Sequence, residues 1–246
     1  MAKLQIRNAP GQHNPRYAFR GRQMKIWRYI PGLLALALWA AAGWAGTSDK
    51  PSATVAQILA GIEKRYAGKG FSADFFQESM LKAMQISDTA EGHLTVKRPG
   101  KMRWQYTMPD EQTIITDGKS LWIYRPTDNQ VMVGKAPEFF GHGKGAAFLS
   151  DIRQLRKSFT IQQQPAENPD YYRLHLVPLK PTPELSEITL SVAKASYLID
   201  QVVTTNAYGD ETRIVLNNYQ FNLDPDDALF AFKIPDGADI VEMDKP

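Results

Sequence analysis

The chain has 246 residues, 43% of them apolar and 22% charged, with 29 Lys+Arg against 26 Asp+Glu and no cysteine. This is a globular composition, long enough to bury one substantial core. Without cysteine, a disulfide scaffold, a Cys-ligated zinc site, a cysteine nucleophile and a Cys-linked lipid anchor are all excluded.

Residues 1–48 carry no Asp or Glu but seven basic side chains: Lys3, Arg7, Arg16, Arg20, Arg22, Lys25 and Arg28. An apolar run from Leu33 to Ala42 follows, and then Gly43-Trp44-Ala45. A basic stretch, about 10 apolar residues and a small-x-small site predict a secretory signal peptide. The run is too short for a membrane span, which needs about 20 residues. Its basic region is long for a leader, and a start at Met24 would give ordinary proportions. Cleavage is therefore expected near Ala45, with residues 46–246 as a single domain. Taking the seven leader cations from 29 leaves 22 basic residues against 26 acidic, a net −4. The basic excess belongs to the leader, so nucleic acid is not an expected partner.

A helix is predicted first in the mature chain. Thr54 and Gln57 have capping-box spacing, and Val55, Ile58, Leu59, Ile62 and Tyr66 recur on one helical face until Gly68 and Gly70. Strands then dominate. Phe71–Gln77 alternates as Phe71, Ala73 and Phe75; Gly92–Lys97 as Leu94 and Val96; Met102–Tyr106 as Met102, Trp104 and Tyr106. Thr113–Thr116 and Leu121–Tyr124 flank Asp117-Gly118, a hairpin-turn signal. After a loop over Gly134–Gly145, a helix should place Ala147, Phe148, Ile152 and Leu155 on one side. Further strands are expected at Tyr171–Val177, Glu187–Val192, Leu198–Thr205, Thr212–Asn217 and Leu229–Ile234. The pattern is mainly β: an antiparallel sheet, curved or closed, with a few helices.

Catalytic signals are weak. Gly141-His142-Gly143-Lys144-Gly145-Ala146 fits G-x-G-x-x-A, but its flanks are antiparallel rather than βαβ. His93, His142 and His175 lack metal-ligand spacing. Asp224, Asp226 and Asp227 surround a proline and read as turn carboxylates. No enzyme activity, metal or cofactor is expected.

The informative stretch runs from Gly92 through Lys97-Arg98-Pro99 and Trp104, then Pro109-Asp110-Glu111, then Asp117-Gly118-Lys119 and Leu121-Trp122-Ile123-Tyr124. Strand parity aligns Arg98 with Leu94 and Val96 if the strand stays regular to Pro99. An arginine among apolar groups needs acceptors for its guanidinium. The alternative is a frayed strand end with Arg98 in solvent, and parity does not choose between the two.

This stretch closely resembles the LolA family, periplasmic carriers of outer-membrane lipoproteins. The family pattern is G-x-L-x-V-K-R-P-x-x-x-x-W, then P-D-E, then D-G-K-x-L-W-x-Y, and Gly92–Tyr124 contains all of it. The likeness extends to Phe71-x-Ala73-x-Phe75-x-Gln77 and to Phe230-x-Phe232-x-x-Pro235-x-Gly237. It implies an unclosed antiparallel β-barrel with a helical lid over an apolar cavity. The lid would correspond to Thr54–Ala67 and roughly Gly145–Lys157. Arg98 would be the residue that bonds lid-loop carbonyls and holds the empty form shut. Phe71, Phe75, Leu94, Val96, Met102, Trp104, Phe148 and Ile152 would line the lipid cavity. Met102 departs from the family's aromatic at that position. The resemblance further implies cargo taken from the inner-membrane ABC transporter LolCDE, delivery to the outer-membrane receptor LolB, and a monomer. LolB is itself a lipoprotein and needs a cysteine that this chain lacks. A binder of other lipids, or an envelope-stress module on the same fold, are the alternative readings.

Overall fold

Thr54 caps the first helix as its spacing predicts. Its Oγ1 accepts from the Gln57 N–H at 3.3 Å, while Gln57 Oε1 accepts from the Thr54 N–H at 2.8 Å. Helix α1 spans Val55–Arg65, with Ile58, Leu59 and Ile62 buried. The computed structural model describes residues 53–137 and 144–243; the expected leader, the Met24 start and the Gly141-His142-Gly143 loop lie outside them. By contacts the chain divides at residue 48, and all described residues belong to the second unit.

Twelve strands follow: β1 Gly70–Leu81, β2 Ile86–Lys97, β3 Lys101–Met108, β4 Gln112–Thr116, β5 Ser120–Arg125, β6 Gln130–Lys135, β7 Phe159–Gln164, β8 Tyr171–Pro178, β9 Glu187–Ala193, β10 Ile199–Thr205, β11 Glu211–Leu223 and β12 Asp239–Glu242. They form one sheet in the order β12-β6-β5-β4-β3-β2-β1-β11-β10-β9-β8-β7, so β7 and β12 are its two edges and the barrel is unclosed. All pairings are antiparallel except β12 with β6, which is parallel.

Residues two apart share a face, and the main core covers one face of β1–β3 and β8–β11, with a smaller separate cluster of Leu121, Ile123 and Ala136 on β5 and after β6. Phe71, Val96 and Met102 line up across β1, β2 and β3, with Ala73, Leu94 and Trp104 as the next row. Leu174, Leu176, Ile188, Leu190, Val192, Val202, Ile214 and Leu216 extend the same buried cluster over β8, β9, β10 and β11. Helix α1 packs its apolar stripe onto that cluster.

Three sequence expectations need correction. The helix expected over Gly145–Lys157 is two pieces, a 3₁₀ helix at Lys144–Ser150 and a short helix α2 at Gln154–Ser158. Ala147, Phe148, Ile152 and Leu155 are nevertheless all buried. Leu229–Ile234 is not a strand: Asp226 caps a 3₁₀ turn over Asp227–Phe230, and an extended strap follows. Its apolar residues pack rather than pair, with Phe230 buried and Phe232 against Trp122 and Tyr124 at 6.2 and 5.6 Å between ring centroids. Gly134, expected to open a loop, lies inside β6 and pairs with Leu121.

Candidate functional site

The strand carrying the K-R-P sequence stops at Lys97, one residue before Arg98. Leu94 and Val96 are fully buried, and Arg98 continues toward their side although it lies beyond the last ladder residue. Its main-chain N–H donates to the Lys69 carbonyl at 2.7 Å, and its Nη1 donates to the Gly68 carbonyl at 2.6 Å. Both acceptors belong to the turn between α1 and β1. Of the two readings that parity left open, a guanidinium that finds an acceptor is the one the fold adopts.

The guanidinium is only partly satisfied. Arg98 Nη2 is buried without a hydrogen-bond partner. The guanidinium carbon lies 5.9 Å from the Phe71 ring centroid, within cation–π range. Burial lowers the pKa of Arg98 from its ordinary value, and the nearby Asp151 carboxylate opposes that shift.

A second anchor holds the same end of α1. Tyr66 Oη donates to Tyr219 Oη at 3.0 Å, Tyr219 Oη donates to the Ile199 carbonyl at 2.7 Å, and the Ile199 N–H donates to Tyr66 Oη at 3.1 Å. The three bonds close a ring that joins the helix end to β10 and β11. Burial pushes the Tyr66 phenol up to about 12, so it stays neutral over ordinary pH. Phe71 and Phe221 stack at 5.6 Å beside it, and Tyr66 meets Phe71 edge-on at 5.3 Å.

The two helices are also joined to each other. Arg156 of α2 pairs with Glu63 of α1 and donates from Nη2 to the Ala56 carbonyl at 3.1 Å. Sequence reasoning found Tyr66 only as a stripe residue and Gly68 only as a helix stop, and did not single out Tyr219, Glu63 or Arg156. Those contacts join segments far apart in the chain, and no local pattern marks them.

The structure brings together every residue expected to line the cavity. Phe71, Phe75, Leu94, Val96, Met102, Trp104, Phe148 and Ile152 belong to one buried cluster. Phe75 meets Trp104 and Tyr106 at 5.0 and 4.9 Å, both edge-on. These side chains pack on one another as parts of that cluster. Beside Arg98 lies a half-open cleft of about 700 Å³, lined by Pro99, Gly100, Gly118, Phe148, Phe159 and Pro178 among others. Of the expected cavity residues, Phe148 alone lines it. Among the described residues no group of three or more His, Asp or Glu is placed to hold a metal ion.

Comparison with known proteins adds to this geometry. The family described as "Outer membrane lipoprotein carrier protein LolA" matches residues 67–233. A protein of Chromobacterium violaceum named outer-membrane lipoprotein carrier protein is 34% identical over 87% of this chain and 98% of its own length. One of the same name from Hahella chejuensis is 26% identical over 84% of this chain and 97% of its own. Among solved structures, an uncharacterized conserved protein from Thermus thermophilus superposes with a TM-score of 0.50 at 12% identity. It covers 76% of this chain and 98% of that one, a likeness of fold.

Proposed function

This chain belongs to the LolA family of outer membrane lipoprotein carrier proteins, and on that premise we propose that it shields the acyl chains of lipoproteins while they cross the periplasm. Cargo is accepted from the inner-membrane ABC transporter LolCDE and passed to the receptor LolB, the carrier acting as a monomer without a catalytic step.

The physical task explains why such an apparatus is needed. Each acyl CH₂ withdrawn from water is worth about 0.8 kcal/mol, so a chain of roughly 16 carbons is worth about 12 kcal/mol. A carrier must cover that surface and still let it go. A closed state that competes with cargo lowers apparent affinity by the fraction of molecules it occupies.

The observation that carries this reading is the hydrogen bond from Arg98 to the Gly68 carbonyl beside a largely apolar interior. When α1 and α2 swing away, Phe71, Leu94, Val96, Met102 and Trp104 offer their faces to acyl chains. On release the helices return, and Arg98 regains its carbonyl. Glu63 and Arg156 make the two helices move together. Loading energy comes from the transporter, and the closed state favours hand-off.

Mass spectrometry of material co-purified from the periplasm tests the proposal. Intact acylated lipoproteins should be found with the protein. Free phospholipid alone, with no acylated protein in the bound fraction, would contradict a lipoprotein carrier and favour a binder of other lipids.

A further inference from the structure

The end of the sheet opposite Arg98 carries a feature the cargo reading does not use. The β1–β2 hairpin closes through Met80-Leu81-Lys82-Ala83-Met84-Gln85-Ile86, and β2 pairs with β3 only from Glu91 onward. On its other side the ribbon pairs with β11 as far as Met80. The tip therefore projects, with Met80 47%, Leu81 40%, Met84 67% and Ile86 46% exposed.

These side chains occupy both faces of the ribbon. Leu81 and Ile86 are cross-strand partners and share one face, whereas Met80, one residue away from Leu81, points to the other. A neighbouring turn joins the surface. Lys82 donates its main-chain N–H to Asp210 Oδ1 at 2.9 Å, and its stem packs so closely on Gly209 that a Cβ there would lie 3.0 Å from Lys82 Cδ. Tyr208, beside Gly209, is 74% exposed.

We propose that this pair of adjacent tips inserts shallowly into a phospholipid surface. A protein partner with a flat or grooved face would cover one side of the ribbon and leave the other in water. An apolar fluid covers both sides. Two carboxylates lie level with the tip, Glu211 as the cross-strand partner of Met80 and Asp210 against the Lys82 main chain, whereas Glu78 and Asp88 sit two to three residues behind Leu81 and Ile86, or roughly 7–10 Å along the strands. Interfacial segments insert about 5–10 Å, so Leu81, Met84 and Ile86 enter the lipid while Asp210 and Glu211 hold the Met80 side at the headgroup level. Tyr208 supplies an amphipathic ring for the headgroup boundary, and Lys82 has a stem long enough to keep its ammonium wet.

Strand β2 has 12 residues, so the tip lies roughly 36–40 Å from Arg98. Docking at the tip leaves the helices and the cleft facing away from lipid. A few apolar side chains without a covalent anchor bind a membrane weakly and reversibly, as a shuttling protein requires.

The absence of cysteine allows a clean test. Met84→Cys carries one polarity-sensitive dye at the tip, and Lys119→Cys carries it in the β4–β5 turn at the Arg98 end. On addition of phosphatidylethanolamine–phosphatidylglycerol vesicles, the dye at 84 should shift to the blue and brighten, and the dye at 119 should not. With the dye at 84, Leu81→Ser plus Ile86→Ser should weaken partitioning about tenfold or more. Met80→Ser, on the opposite face, should weaken it as well. All these positions are exposed, and circular dichroism checks that the variants fold. A silent dye at 84, an equal response at 119, or indifference to either serine change would overturn membrane insertion.

Discussion

Arg98 and Gly68 stand 30 positions apart, and the 2.6 Å bond between Nη1 and the Gly68 carbonyl joins the end of β2 to the turn that follows α1. Immediately beyond Gly68, the Lys69 carbonyl accepts from the Arg98 main chain. The side-chain bond can therefore be removed while the main-chain bond stays, which makes the guanidinium contact separable from the local fold.

Tyr66→Phe removes the shared hydroxyl of the Tyr66–Tyr219–Ile199 ring and orphans the buried Ile199 N–H. A loss of about 1–3 kcal/mol is expected, read as a lower urea midpoint at unchanged slope. The same residue sets an alkaline signature. Its folded pKa is raised from 10.0 to about 12, so its contribution is complete below pH 10 and is lost as pH rises toward 12. The variant should lose less stability than wild type across that window, and parallel curves would show that Tyr66 is not the responding group.

Asp227 governs the opposite end of the pH scale. Hydrogen bonds from Lys101 and Lys97 hold its pKa near 2, and Lys69 and Lys97 lower that of Asp224. These depressed carboxylates tie the strap at residues 224–235 across the start of β3. Their stabilisation is present above the ordinary value of 3.8 and lost as pH falls toward 2. The pairs are exposed, so the effect is modest and screened by salt. Limited proteolysis should cut the strap more readily as pH falls through this range. In Asp227→Asn the strap should be looser already at neutral pH, with a flatter acid response.

Gly92, first residue of the family pattern, sits at a register shift between β2 and β3. A Cβ there would lie 1.9 Å from the Gln105 carbonyl oxygen, an atom the ladder cannot move aside. Gly92→Ala should cost about 2 kcal/mol or more by forcing the strands apart, seen as a lower thermal midpoint. An unshifted midpoint would mean that the ladder accommodates the methyl group.

Met102 is 1% exposed between Val96 and Thr116. Met102→Ala should destabilise by about 2–5 kcal/mol as a core cavity forms. Under the carrier reading it should also reduce lipoprotein loading, because the same side chain would meet cargo when the helices part. Full loading by this variant would remove Met102 from the cargo surface.

Local chemistry made much of the fold legible and left the rest dark for definite reasons. The Thr54–Gln57 box, the alternation of Phe71, Ala73 and Phe75, and the Asp117-Gly118 turn each signal through neighbours in sequence. Strand β7 was not anticipated, since Gln162, Gln163 and Gln164 give an edge strand little apolar pattern. Strand β12 is exposed at every position and exists through parallel pairing with β6, over 100 residues earlier. Leu229–Ile234 alternates like a strand because Phe230 and Phe232 seat a strap on the sheet. Parity aimed Arg98 at the apolar face, but only tertiary structure supplies the Gly68 carbonyl it meets.

The most direct test of the carrier account is a two-step assay of Arg98→Leu, in which labelled lipoprotein is first released from inner-membrane vesicles and then transferred to receptor. Removing a charge-assisted bond of about 1.5–3 kcal/mol shifts the balance toward the open state by roughly 10- to 150-fold. The variant should accept lipoprotein at least as well as wild type and fail to pass it on, because no closed state competes with cargo. Loading and transfer at wild-type levels would contradict the account and leave the Arg98–Gly68 bond a purely structural contact.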